Sequence, residues 1–146
     1  MGAMTDPDTA ALRRILLETR TIALVGASAN PARPSHGVGV YLARAGYRVI
    51  GVNPGLEGKT LFGRPVVARL ADVPDEVEMV DVFRRSEAVP QIAREALARW
   101  PGLPVLWLQL GIFSAEARAL AEAAGTEVVE NRCTKIEHAR LLGPGA

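Results

Sequence analysis

Gly26, Ser28, Arg33 and Ser35 sit close together in one short stretch, and residues of these types in that arrangement could hold a phosphate. The apolar run Ile22 to Val25 precedes them, and an apolar-periodic helix begins near Gly37. Backbone N–H groups in the first turn of a helix have no internal partner, and the helix dipole favours negative charge there. Gly26 lets the chain turn without a Cβ in the way. Ser28 and Ser35 offer hydroxyl donors, and Arg33 offers a planar fork suited to phosphate oxygens.

Three more stretches carry polar chemistry at the ends of apolar runs. Asn53-Pro54 stands where a dinucleotide-binding protein usually carries Asp or Glu for its ribose hydroxyls. Asn53 is neutral, and the Gly26 loop lacks a G-x-G-x-x-G pattern, so both depart from the NAD fingerprint. A neutral residue there better tolerates a ligand with a phosphate on its ribose. Phe83-Arg84-Arg85 could meet an adenine ring and phosphates; the plainer alternative is a core Phe83 and solvated arginines. Gly111 permits close backbone approach next to Ile112, and Gln109 could hydrogen-bond a ligand.

The segment Asn131 to His138 gathers Cys133, Lys135, Glu137 and His138. A thiol at a helix N-terminus beside Arg132 can ionise readily. Cys133 and His138, five residues apart on a helix, point to different faces, and a buried structural cysteine is the commoner case. With two histidines, His36 and His138, and no Cys-x-x-Cys, a metal site is not expected. Asp81, inside an apolar run, reads as the partner of a neighbouring backbone group. No catalytic residue is assigned.

These stretches need elements to position them. The chain reads as a helix over Asp6 to Arg20, capped by Asp6 with Pro7 at its first position, then a strand over Thr21 to Val25. A helix over Val38 to Ala45 follows, stopped by Gly46, then a second strand over Tyr47 to Val52. A short third strand is expected around Val66-Val67, and a fourth over Glu78 to Phe83. Ser86 is expected to cap a helix over Glu87 to Trp100, with Pro90 near its first turn. A fifth strand over Val105 to Leu108 precedes a helix over Ala115 to Ala124, capped by Ser114. A sixth strand over Glu127 to Glu130 and a helix over Thr134 to Leu142 complete the series. Strands alternating with helices imply an α/β fold, a doubly wound parallel sheet of order 3-2-1-4-5 with room for the sixth strand and helices on both faces. Ligands in such sheets lie beyond the carboxyl ends of the strands, where the winding reverses.

The 146 residues amount to one domain, 1–146, with Met1-Gly2-Ala3 before Met4 reading as a cloning remnant. With 17 basic and 16 acidic residues, the balance gives no support to nucleic-acid binding. The single cysteine fits a reducing compartment. No apolar run is long enough for a membrane span and no secretory signal is visible, so a cytoplasmic protein is expected. The apolar fraction leaves room for a homodimer or another protein partner.

The motifs VGAS-x-NP-x-RPS, GYRVIGVNP, VDVFR, WLQLGI and RCTKIEH occur in that order from Val25 to His138. Together they resemble the stand-alone bacterial and archaeal CoA-binding proteins, which are similar to the CoA-binding domain of the succinyl-CoA synthetase α subunit. The resemblance covers roughly Ile15 to Leu142 and implies a Rossmann-like domain with coenzyme A, or an acyl-CoA, over the carboxyl ends of the strands. It implies that Gly26, Ala27, Ser28, Arg33, Pro34 and Ser35 meet the phosphates. Asn53 and Pro54 would border the adenosine, with Lys59 as a phosphate partner. Phe83 and Arg84 would line the nucleotide side, and Gln109, Gly111 and Ile112 the pantetheine arm. Relatives often carry Asp where this chain has Asn131. The expected function is a non-catalytic CoA-binding protein. The alternatives are a ligase or transferase subunit acting with a separate partner, an acyl-transfer enzyme using Cys133 or His138, and an NAD(P)-binding oxidoreductase domain.

Overall fold

The strands are apolar on both faces and must be covered on both sides. In the computed structural model, which describes residues 9–143, they form a parallel sheet between two layers of helices. The elements run α1 (Thr9–Glu18), β1 (Thr21–Val25), α2 (Pro34–Arg44), β2 (Arg48–Val52), β3 (Thr60–Leu61) and β4 (Arg64–Pro65). They continue with β5 (Met79–Val82), α3 (Val89–Arg99), β6 (Val105–Leu108), α4 (Ala115–Ala123), β7 (Glu127–Val129) and α5 (Thr134–Leu142). The main sheet has five strands in the order β2-β1-β5-β6-β7, all pairs parallel.

Period-two alternation along each strand sends its side chains into two separate cores. Val25, Val52, Val80, Leu106 and Val128 pack with residues of α3 and α4. Leu24, Val49, Met79, Trp107 and Val129 pack with residues of α1, α2 and α5. Trp107 is fully buried, and its indole N–H donates to the Arg132 carbonyl (2.7 Å), tying the segment before α5 to β6.

The strand order is the one expected, with the sixth strand present and the third reduced to one parallel bridge, Val52 with Val67. Pro65 has no N–H to extend a ladder, and Val66 N donates back to the Lys59 carbonyl (2.7 Å). Residues 60–65 instead close an antiparallel hairpin, β3 with β4. Its Phe62 ring lies so close against α2 that a Cβ on Gly39 would overlap it.

Two helix starts differ from expectation. α2 begins at Pro34, not near Gly37, because Pro34 already has the helical φ at the first position. Ser86 does not cap α3: a 3₁₀ turn spans Ser86–Ala88, and Ser86 Oγ accepts from Phe113 N (3.0 Å). Ser114 does cap α4, accepting from Ala117 N (3.0 Å). The expected Asp6 cap and Pro7 lie outside the described residues.

Candidate functional site

The winding reverses between β1 and β5, and there the carboxyl ends of β1, β2, β5 and β6 frame a cleft of about 930 Å³. That volume is at the upper end for small-molecule and cofactor sites. The frame depends on Gly26. Its N–H donates to the Val52 carbonyl (3.1 Å), while Phe83 N donates to the Val25 carbonyl (2.9 Å), so three strand ends are stitched together. Gly26 has φ +90°, and a Cβ there would stand 2.6 Å from the Phe83 carbonyl oxygen. Only glycine fits this position.

Beyond Gly26 the loop is held by its own polar side chains. Ser28 Oγ accepts from Asn30 N (3.0 Å), and Asn30 Oδ1 accepts from Ala32 N (3.0 Å). Ser28 still has its O–H to donate. Arg33 is extended and brings the chain into α2 with no side chain capping the helix. The first turn faces the cleft at Pro34 and the buried Ser35, with the Ser35 N–H open; Pro34 has no N–H, and the His36 N–H donates to the Arg33 carbonyl (3.1 Å).

Asn53, at the end of β2, acts as a brace. Its Nδ2 donates to the Ala27 carbonyl (2.8 Å), and its Oδ1 accepts from Gly55 N (2.8 Å). An aspartate could do the second but not the first. The neutral residue is thus explained by loop-to-loop bracing, which an aspartate could not supply.

Across the cleft, Arg84 and Arg85 are exposed and half-buried Phe83 packs on the α1, α2 and α5 core. Arg33, Arg84 and Arg85 all line the cleft, and none of them makes an ion pair with any described residue. Glu87 is the one carboxylate among the lining residues. The cleft rim is therefore net positive.

The deep end differs. Asp81 is fully buried on β5, and burial pushes its carboxyl up to about 7 against the opposing pull of two hydrogen bonds. Gln109 Nε2 donates to Asp81 Oδ1 (2.6 Å) and to Thr134 Oγ1 (3.0 Å), and Thr134 Oγ1 donates to Asp81 Oδ2 (2.9 Å). Asp81 is thus held by side chains and not, as the sequence suggested, by a backbone group. Beside it, Gly111 N donates to Asn131 Oδ1 (2.8 Å), which fixes the loop after β6. Asn131 takes a left-handed φ of +60°, a conformation that asparagine tolerates.

A family model described as CoA binding domain matches residues 20–139. The chain belongs to the CoA-binding domain family. The uncharacterized protein YneT of Bacillus subtilis (strain 168) is 36% identical over 136 residues, covering 93% of this chain and 98% of YneT. A solved structure from Thermus thermophilus, cell-free ID.343, is 42% identical with a TM-score of 0.86, covering 92% of this chain and 98% of that one. A hypothetical protein from Pyrococcus horikoshii OT3 is 36% identical with a TM-score of 0.90, covering 98% of this chain and all of the other (100%).

In this CoA-binding domain every residue expected from the sequence to meet CoA lines the cleft except Lys59. Lys59 is exposed in the turn before β3, where its N–H donates to the Leu56 carbonyl (2.9 Å). Arg85, Ser86, Glu87 and Leu110 also line the cleft, and only Arg85 was weighed from sequence. Cys133 reaches the cleft too, although it is buried at the start of α5. His138 lies elsewhere: it lines a separate crevice with Leu16, Thr19 and Tyr47, and its Nδ1 pairs with the Tyr41 hydroxyl (2.9 Å). Burial lowers the His138 imidazole from its usual range. Cys133 and His138 form no couple. Among the described residues no helix is long and apolar enough to cross a membrane.

Proposed function

We propose that this chain binds coenzyme A, or an acyl-CoA, in the cleft at the carboxyl ends of the strands, as a binding protein without chemistry of its own. The observation that carries this reading is the set Arg33, Arg84 and Arg85, unpaired with any described acid, facing an uncapped helix start. CoA carries a pyrophosphate and a ribose 3′-phosphate, so three cationic forks beside a helix N-terminus match its charge. Membership of the CoA-binding domain family supports the same ligand. The neutral Asn53, taken up in bracing the loop, weighs against NAD, whose ribose diol is usually held by a carboxylate there. The non-catalytic part rests on the lining: no base hydrogen-bonds Cys133 among the described residues, and His138 is outside the cleft.

The test is thermal unfolding with CoA, acetyl-CoA, NADH and ATP side by side. At about 100 times its Kd a ligand stabilises by roughly 2.7 kcal/mol, a rise in Tm on the order of 5 to 10 °C for a chain of this size. CoA is expected to give that rise, and an equal rise with acetyl-CoA would mean that the thiol end is not discriminated. A rise with NADH alone would replace the reading.

A further inference from the structure

Gln109 is almost wholly buried, yet it lines the cleft. Its amide has two N–H donors and one carbonyl acceptor. Both donors are taken: one by Asp81 Oδ1 (2.6 Å), the other by Thr134 Oγ1 (3.0 Å). With Asp81 ionised the reverse orientation is closed, because it would set Oε1 against a carboxylate oxygen. No described donor reaches Oε1, and no buried side-chain oxygen or nitrogen among the described residues lacks a partner. Gln109 Oε1 is therefore open to the cleft. A neutral Asp81 leaves the arrangement intact: Oδ1 still accepts from Gln109, and Oδ2–H turns onto Thr134.

We infer that Asp81 and Thr134 are a positioning pair that holds Gln109 Oε1 in the cleft as a fixed hydrogen-bond acceptor, selecting a ligand with an amide N–H. The inference rests on the reading of CoA as the ligand, whose pantetheine arm carries two such groups. It adds the part of the ligand that the arginines do not read. Adenosine 3′,5′-bisphosphate has a 3′-phosphate and an adenine like CoA but no amide, so its binding does not depend on Gln109. Neither Asp81 nor Thr134 touches the ligand in this account; they act through Gln109 alone.

Asp81→Val sharpens the point. Without the carboxyl, Gln109 Nε2 loses the acceptor that fixes its orientation, and Oε1 is no longer held in the cleft. Asp81→Asn restores the hold: its Oδ1 accepts from Gln109 as the neutral acid does, and its Nδ2 donates to Thr134.

The experiment is calorimetric titration of the full chain with CoA and, separately, with adenosine 3′,5′-bisphosphate. Asp81→Val is expected to weaken CoA about 10-fold or more and leave the bisphosphate within about two-fold, and Asp81→Asn is expected to keep CoA affinity within about two-fold. Should Asp81→Val fail to fold, Gln109→Met makes the same comparison, and selective loss of CoA affinity is again expected. Equal weakening of both ligands by Asp81→Val, no change in its CoA affinity, or loss of CoA affinity in Asp81→Asn as large as in Asp81→Val would overturn the inference and leave CoA binding standing. Absence of binding by the unaltered chain would overturn both.

Discussion

The two rims of the sheet use arginine in opposite ways. At the amino-terminal rim the cations are spent on the fold. Arg14 pairs with Glu127 (2.6 Å), Arg48 pairs with Asp75 (2.9 Å), and Arg99 donates to the Val73 carbonyl (2.8 Å). Glu78 accepts from the backbone N–H groups of Arg20 (3.0 Å) and Thr21 (2.8 Å), closing the start of β1. At the carboxyl-terminal rim, Arg33, Arg84 and Arg85 have no described acid partner. Unpaired cations around a concave surface raise the local potential and attract anions. One rim is arranged for cohesion, the other for a charged ligand.

The largest break in that comparison is Gly26→Ala. Left-handed strain and a 2.6 Å contact with the Phe83 carbonyl force β1 and β5 apart where the cleft is framed. We expect a loss of roughly 3 kcal/mol or more in urea unfolding, with CoA affinity lost as well. A variant of unchanged stability would show that the rim is less tightly stitched than described.

The second concerns Asp81, whose folded carboxyl stands at about 7 instead of 3.8. A raised carboxyl means that the folded state holds the proton more tightly than the unfolded state. Its contribution to stability is full below about pH 4 and is lost as pH rises through 7. Between pH 5 and pH 8 the loss should be on the order of 2 kcal/mol. Asp81→Asn should flatten that part of the stability profile, and an unflattened profile would mean that another group carries it.

Asn53→Asp is expected to cost about 1 to 2 kcal/mol, because the Ala27 carbonyl loses its donor and faces a charge. Equal stability in urea unfolding would show that the brace is dispensable. The smallest effect belongs to the other rim. Arg14→Ala removes an exposed pair and should change stability by less than about 1 kcal/mol, with CoA affinity unaltered in titration. A change in affinity would mean that the two rims are coupled.

How much of this was legible in the sequence follows from the range of the interactions. β1 and β6 showed as continuous apolar runs and β5 as one broken only by Asp81, because strands covered on both faces have no polar side to disguise them. α2 was placed too late because Pro34, Ser35 and His36 read as loop residues, although a proline at the first helical position is itself a start signal. The polar network was not legible. Asp81 finds Gln109 and Thr134 at 28 and 53 positions along the chain, distances at which no local pattern exists. Asn53 likewise reaches Ala27, 26 positions back, so its neutrality looked like a ligand preference when it is a structural donor. Cys133 came to the cleft because α5 starts where β6 ends, a matter of packing and not of spacing.

The unpaired arginines of the carboxyl-terminal rim are the groups proposed to hold the phosphates of CoA. The most direct test is calorimetric titration of CoA into the unaltered chain and into Arg33→Ala/Arg84→Ala/Arg85→Ala, at low and at moderate salt. The account predicts one CoA per chain, affinity falling with salt, and a variant that melts at the same temperature but binds at least about 10-fold more weakly. Equal affinity in the two proteins, or no binding of CoA by the unaltered chain, would contradict it.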